Sequence, residues 1–267
     1  MFGRLTPAVK TLLLVNIVLH LAASFFGINL IDWGGLRYIT AEDFGVHQFL
    51  TYMFLHAAGF GHLLGNMIGL FVFGPILESE WGSQRFMTYY LITGIGAGIL
   101  FTAVDFYEVK RLEHKIDVYA AAPDVDAFYV LLEKNPELIG NNAEAANTTL
   151  TNMRQYPGDS RFVRNSLDYI NDAYWNFINN KVMVGASGAI FGLIIAMALL
   201  FPNLQLFLLF PPIPIKMKYF ALFYGLFELF QQINKANDGV AHLAHLGGML
   251  VGFIMIKIWY GRNYRIH

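Results

Sequence analysis

The chain has 267 residues, of which 56% are hydrophobic and only 14% are charged, whereas soluble domains carry about 25% charged residues. Its net charge of −1 gives no electrostatic basis for binding nucleic acid, and we find no nucleic-acid-binding motif. Because the chain has no cysteine, disulfides, thiolate metal sites and thiol catalysis are excluded. This composition is typical of membrane spans joined by polar segments.

Six apolar segments are long enough to cross a bilayer, which takes about 17 to 25 residues in a helix. They lie at residues 10–28, 62–78, 86–104, 185–201, 217–234 and 240–260. The sequence therefore predicts an all-α polytopic membrane protein with a six-helix bundle. Spans one to three lie within residues 1–104, and spans four to six lie within residues 182–267.

Lys and Arg residues in the short loops predict the orientation of these spans. If the N- and C-termini are cytoplasmic, eight such residues fall on the cytoplasmic side and only Arg37 and Lys235 on the outer side. The eight are Arg4, Lys10, Arg85, Lys216, Lys218, Lys257, Arg262 and Arg265. We therefore expect cytoplasmic termini, with spans two, four and six all running from outside to inside.

Span two begins with His62 and Asn66, one helical turn apart. Both side chains can donate hydrogen bonds, as an oxyanion hole requires. Metal binding is the alternative, with His56, His62, His242 and His245 as candidate ligands. These spans contain no His-Glu-x-x-His pattern and no ligating acid that would support it, so we expect neither a metal nor another cofactor.

Residues 105–181 form a polar insert with 8 basic and 12 acidic residues, which lies outside in this topology. Apolar residues recur at helical spacing from Val109 to Tyr119 and from Val163 to Phe177. Asp124 and Asp159 are candidate helix caps. We expect a small helical subdomain that selects substrates or covers the active site; the alternative is a tolerated insertion that does neither.

Span four opens with Gly185-Ala186-Ser187-Gly188, which places one hydroxyl among small residues. Small residues let another helix approach closely and leave the hydroxyl uncovered, so Ser187 is a candidate nucleophile. The alternative is a packing motif whose serine bonds to a carbonyl of its own helix. Phe191 lies four residues later on the same helical face, where its ring could pack against a histidine or simply form core.

Glu228 falls near the middle of span five, where an ionised carboxylate costs about 3 kcal/mol on an insertion scale. We expect this carboxyl to face the bundle or to be protonated. A structural hydrogen bond suits it better than a catalytic role, because the other polar groups lie at the outer end of the bundle.

Span six carries His242 and His245 one turn apart, and His245 shares its helical face with Gly248. Neutral imidazole is a suitable general base near neutral pH. Spacing alone does not choose between the two histidines, and a buried histidine bonded to a carbonyl is the structural alternative. Because spans two, four and six run in one direction, they bring His62, Ser187 and both histidines to one depth near the outer leaflet.

Together, in this order and on these spans, the motifs resemble those of the rhomboid intramembrane serine proteases. The resemblance rests on Gly-x-Ser-Gly at Gly185–Gly188, on His-x-x-x-Asn at His62 and Asn66, and on Ala-His-x-x-Gly-x-x-x-Gly beginning at Ala244. It implies Ser187 as nucleophile and His245, not His242, as base, in a dyad without an acidic third member. It further implies that His62 and Asn66 stabilise the oxyanion.

The resemblance also implies the partners of the protein. We expect an integral protein of the lipid bilayer, in a bacterial inner membrane, that cleaves transmembrane-helix substrates near the outer leaflet after local unwinding. One alternative is a rhomboid-like pseudoprotease that binds membrane helices without cutting them. Another is a small proton-coupled transporter that uses the histidines and Glu228, although no internal repeat supports it.

Overall fold

The computed structural model describes residues 5–140, 142–207, 213–234 and 240–261. These residues form two compact units, the first within 1–36, 45–102 and 183–267 and the second within 37–44 and 103–182. Four of the basic residues that predict the orientation, Arg4, Lys235, Arg262 and Arg265, lie outside the described residues. The orientation therefore stays a prediction.

The first unit is mainly helical. Its helices are α1 (Pro7–Phe26), α2 (Leu30–Gly34), α3 (Gln48–Thr51), α4 (Phe60–Trp81), the first part of α5 (Ser83–Ala121), and then α9 (Ser187–Leu200), α10 (Met217–Ile233) and α11 (His242–Tyr260). A 3-10 turn at Tyr52–Phe54 and an antiparallel pair of strands, β3 (Gln205–Phe207) and β4 (Pro214–Lys216), complete it. The short strands β1 (Leu36–Arg37) and β2 (Val182–Met183) lie where the chain passes between the units.

Among the helices of the described residues, α1, α4, α5 and α11 are long and apolar enough to cross a membrane by length and composition. The fourth and fifth predicted spans correspond to α9 and α10, which have 14 and 17 residues. At 1.5 Å per residue, α9 is about 21 Å long, less than the hydrocarbon thickness of about 30 Å. The structure therefore has the multi-pass helical architecture expected of an integral membrane protein, while the count of six full spans stays a prediction.

The helix that contains the third predicted span extends beyond that span. Residues 86–104 belong to α5, a single helix of 39 residues that continues into the polar segment as far as Ala121. Asp105 and the charged residues after it end the apolar stretch, but no Gly or Pro between Ile99 and Ala121 interrupts the backbone hydrogen bonds. Hydropathy marks the end of the apolar stretch and not the end of the helix.

The centre of the first unit is α9, which buries eleven of its 14 residues. Its residues are apolar on every side, as in a helix surrounded by other helices. α9 packs most extensively against α11 and also against α4 and α10. Residues at the start of α9 therefore lie among side chains from three other helices.

Glu78 joins the C-terminal part of α4 to the start of α1. Its two carboxylate oxygens accept hydrogen bonds from the backbone N–H groups of Ala8 and Val9, at 2.8 and 2.9 Å. The Ser83 hydroxyl donates a third hydrogen bond, at 2.5 Å. The first N–H groups of a helix have no partner within the helix, and this buried carboxylate satisfies two of them. Its negative charge is also stabilised by the positive end of the α1 dipole.

The second unit has a hydrophobic core of its own. It comprises the rest of α5, the helices α6 (Val125–Lys134), α7 (Ala143–Gln155) and α8 (Ser160–Asn180), and a 3-10 turn at Pro136–Leu138. Buried members of the core include Val109, Leu112, Phe128, Leu131, Leu138, Met153, Ile170 and Ile178. Segment 37–44, which the predicted insert of 105–181 did not include, adds Tyr38 and Ala41 to this core. Sequence periodicity cannot reveal so distant a contribution.

Both predicted caps in the second unit are confirmed. Asp124 accepts a hydrogen bond from the N–H of Ala127 at 2.8 Å, and α6 begins at the next residue. Asp159 accepts one from the N–H of Arg161 at 2.9 Å, at the start of α8. These short acidic side chains fix where each helix begins.

We predict that Glu78→Gln lowers the free energy of unfolding by about 1 to 3 kcal/mol, because an amide has one acceptor oxygen for two backbone donors and no charge. Thermal unfolding of the purified protein in detergent measures the loss. The control is Glu80→Gln on the exposed side of α4, which should change stability by less than about 0.5 kcal/mol. Equal melting temperatures for the two variants would contradict this role of Glu78.

Candidate active site

Ser187 is the first residue of α9, and the turn before it requires glycine. Gly185 has φ of +126°, which L side chains rarely adopt, and its N–H donates to the Tyr52 carbonyl at 2.9 Å. A Cβ at Gly185 would also lie only 2.7 Å from His62 Nε2. Glycine at this position therefore lets the chain enter α9 with the His62 imidazole directly beside it.

His245 lies in the first turn of α11, and its Nε2 is 2.7 Å from the Ser187 hydroxyl oxygen. The ring of Phe191 lies parallel to the imidazole, with 4.2 Å between ring centroids and 9° between planes. This stacking, together with 93% burial of His245, restricts rotation of the imidazole. The pair therefore has the arrangement of a hydroxyl that donates its proton to a neighbouring base.

Glu228 lies behind His245, in contact with two imidazoles. Its Oε2 accepts a hydrogen bond from His242 Nδ1 at 2.6 Å and lies 2.9 Å from His245 Nδ1. The second contact is close but poorly aligned, and His245 Nδ1 makes no hydrogen bond of good geometry within the described part of the chain. All three residues are buried, with 4%, 4% and 7% exposure for Glu228, His242 and His245.

The expectation that Glu228 lies apart from the reactive groups is wrong. Because Glu228 falls near the middle of the predicted span five, the sequence predicted that it lies deeper in the membrane than the reactive groups. In the structure α10 ends at Ile233, five residues after Glu228, and His245 lies three residues after the start of α11. The two residues therefore lie at similar distances from the connection between α10 and α11.

His62 has a defined tautomer when it is neutral. Its Nδ1 accepts a hydrogen bond from the N–H of Ala57 at 3.4 Å, so the ring proton is on Nε2. Nε2 lies beside Gly185, two residues before Ser187. Asn66 Nδ2 donates one hydrogen bond to the His62 carbonyl at 3.1 Å, and an amide nitrogen carries a second hydrogen. The structure thus brings two N–H donors close to the start of α9.

The four histidines considered as metal ligands do not form one cluster. His56 packs against His62, with 5.2 Å between ring centroids, and against His20, while its two ring nitrogens have no hydrogen-bond partner among the described residues. Burial and, after it, the neighbouring histidines lower the pKa of His56 to about 3, so its ring is neutral. The group with metal-ligand spacing in the described residues is instead Glu228, His242 and His245.

A family model described as the Rhomboid domain matches residues 43–109 and 165–262, more than half of the chain. The chain belongs to the rhomboid family. The "Rhomboid-like protein 11, chloroplastic" of Arabidopsis thaliana is 32% identical over 91 residues, which cover 33% of this chain and 30% of that protein. The "Putative rhomboid protease YdcA" of Bacillus subtilis (strain 168) is 35% identical over 99 residues, which cover 35% of this chain and 48% of that protein. The chain thus spans less than half the length of either relative.

The segments that match the rhomboid model are the ones that contain the candidate site. Residues 110–164, which the family model does not match, lie in the second unit. The site residues from His62 to Gly248 all lie in the matched segments and in the first unit. The rhomboid part of the chain therefore contains Ser187, His245 and the other candidate site residues.

Gly248 sets the distance between α9 and α11 of this rhomboid bundle, and Gly188 sets the distance between α9 and α5. A Cβ on Gly248 would overlap the carbonyl oxygen of Gly188, and one on Gly188 would lie 2.7 Å from the Ala97 methyl group. At the contact between Gly188 and Gly248, Ser187 is the residue before Gly188, and His245 lies three residues before Gly248. The close approach of the two backbones therefore places the hydroxyl and the imidazole within hydrogen-bonding distance.

We predict that Gly248→Ala lowers the free energy of unfolding by about 1 to 3 kcal/mol or more, because the new methyl group forces two backbones apart. The same shift should separate Ser187 from His245. Thermal unfolding in detergent checks the first effect. The matched control is Gly65→Ala on α4, where a Cβ has nothing within 4 Å, so this variant should melt at or above the wild-type temperature. A Gly248→Ala protein as stable as Gly65→Ala would contradict the close approach.

Proposed function

We propose that the protein is an intramembrane serine endopeptidase that cleaves transmembrane helices of membrane-protein substrates near the outer leaflet. The observation that carries the proposal is the 2.7 Å separation between the Ser187 hydroxyl and His245 Nε2 within the rhomboid part of the chain. Membership of the rhomboid family and the name of the Bacillus relative support the same reaction class.

In the proposed reaction, His245 Nε2 accepts the Ser187 proton while the serine oxygen attacks a peptide carbonyl. His245 then gives that proton to the amine nitrogen as the peptide bond breaks, which leaves an acyl-enzyme on Ser187. A water molecule loses a proton to His245 and attacks the ester. The acid product leaves, and the proton returns to the Ser187 oxygen.

Three features near Ser187 support stabilisation of the oxyanion. His62 Nε2–H and the second N–H of Asn66 lie close to Gly185. Ser187 is also the first residue of α9, so its backbone N–H belongs to the helix-terminal donors that have no partner within the helix. The positive end of the helix dipole favours negative charge at this place.

The proposed substrate class is supported by the place of the reactive groups in the bundle. They sit among α4, α9, α10 and α11, in a chain whose apolar helices suit a bilayer. A peptide bond within an intact helix is shielded, so a substrate helix must unwind before Ser187 can reach its carbonyl. The orientation predicted from Lys and Arg places this site at the outer side, with both termini in the cytoplasm and a bacterial inner membrane as the proposed location.

We predict that a fluorophosphonate probe labels the wild-type protein and that Ser187→Ala and His245→Ala each reduce labelling at least about 100-fold, because one removes the nucleophile and the other its base. Gel fluorescence of the purified protein in detergent measures the effect. Ser79→Ala and His114→Ala are matched controls, since both residues are exposed on α4 and α5. These controls should label at the wild-type rate.

Each other outcome points to a different function. Folded wild-type protein that does not react, beside a serine hydrolase that does, would favour a rhomboid-like protein that binds helices without cutting them. Proton-coupled flux that survives Ser187→Ala would favour transport. Labelling that depends on Ser187, followed by cleavage of reporter transmembrane helices in vesicles, would support the proposed peptidase.

A further inference from the structure

We infer that Glu228 is a positioning residue for the base: its carboxylate accepts the Nδ1 hydrogen of His245 and thereby keeps Nε2 free to take the Ser187 proton, while His242 holds the carboxylate in place. The inference rests on the proposed function. It adds Glu228 to the expected dyad of Ser187 and His245.

The first step of the argument is the tautomer of His245. A neutral imidazole carries one hydrogen, and Nε2 must be without it to accept the proton of a hydroxyl 2.7 Å away. The hydrogen is therefore on Nδ1, in a side chain that is 7% exposed. Glu228 Oε2, at 2.9 Å, is an acceptor within reach of that hydrogen. Without it, a buried N–H would lack a partner.

The second step concerns the alignment of this contact. His242 makes the better hydrogen bond to the same oxygen, at 2.6 Å, so the carboxylate is held mainly by His242. A carboxylate has about four lone-pair sites, and both imidazoles can therefore donate to it after a small rotation. Catalytic hydrogen bonds are often poorly aligned before substrate binds. When His245 takes up the serine proton it becomes positively charged, which strengthens its hydrogen bond to an anionic Glu228.

The third step compares two explanations for the cluster of Glu228, His242 and His245: a metal ion bound by all three residues, or hydrogen bonds between them. Ligand atoms about 2.0 to 2.2 Å from a tetrahedral zinc ion are separated by about 3.3 to 3.6 Å. The observed separations from Glu228 Oε2 to the two Nδ1 atoms are 2.6 and 2.9 Å. These are donor–acceptor distances, so the spacing fits hydrogen atoms between the residues better than an ion.

The experiment measures fluorophosphonate inactivation of Glu228→Gln as a maximal rate, kinact, and a probe affinity, KI. We predict a kinact that is lower by at least about tenfold, with KI changed less than about threefold; this minimum is smaller than the roughly 100-fold expected for loss of an acid–base group itself, because Glu228 acts through His245. Glu78→Gln is the matched control, because it replaces the other buried carboxylate of the first unit and contacts no reactive group. Its kinact should equal that of the wild type despite lower stability.

A spectroscopic readout separates positioning from a merely structural role. In protein with ¹⁵N-labelled histidine, the difference between wild type and His245→Ala identifies the ring signals of His245. We predict hydrogen on Nδ1 in the wild type and a loss of this preference in Glu228→Gln. The wild-type spectrum decides the question even if Glu228→Gln does not fold, because hydrogen on Nε2 would overturn the inference.

The outcomes also separate this inference from the proposed function. Wild-type labelling that is absent or independent of Ser187 overturns the proposed function itself. Labelling that depends on Ser187 but proceeds at the same kinact in Glu228→Gln overturns only the role of Glu228. Inhibition by added Zn²⁺ that Glu228→Gln and His242→Gln both relieve, with kinact otherwise unchanged, would assign the three residues to a metal site instead.

Discussion

The geometry of the candidate active site depends on the close contact between the backbones of α9 and α11. The Gly188 carbonyl leaves no room for a side chain on Gly248, and a Cβ on Gly252 would lie 3.2 Å from the Cα of Gly192. Ser187 and His245 project from the same two helices beside this contact. Proton transfer requires heavy atoms within about 3.2 Å, so a shift of α11 by one methyl group would separate the pair. Packing of small residues therefore fixes the distance between the Ser187 hydroxyl and the His245 imidazole.

Two carboxylates are buried among the described residues of the first unit, and N–H donors from neighbouring helices satisfy both. Glu78 accepts from the backbone at the start of α1, and Glu228 accepts from an imidazole at the start of α11. A buried carboxylate without such partners costs several kcal/mol, so each one favours the arrangement of helices that supplies its donors. The same physical requirement has different results: Glu78 holds two helices together, whereas Glu228 also reaches a group that can take part in a reaction.

Small residues and span direction predicted that Ser187 meets a histidine of span six, because they act over single turns and whole helices, and the resemblance to rhomboid proteases implied that this histidine is His245 and not His242. Sequence reasoning identified both groups, their neighbours Phe191 and Gly248, and the donors His62 and Asn66. It could not predict the contact of Glu228 with His245, since hydropathy gives the middle of a span but not where the helix ends. For the same reason it could not show that the helix of the third span continues past residue 104 to Ala121.

In the proposed reaction, two histidines with opposite tautomers have two different roles. At His62 the group facing Nδ1 is a donor, the N–H of Ala57, so the hydrogen stays on Nε2 and this nitrogen can donate to an oxyanion. At His245 the group facing Nδ1 is an acceptor, the Glu228 carboxylate, so Nε2 is left with a lone pair for the serine proton. In both histidines, the hydrogen-bond partner of Nδ1 thus decides whether Nε2 acts as a hydrogen-bond donor or as a base. Assigning either histidine by its distance to Ser187 alone would miss this difference.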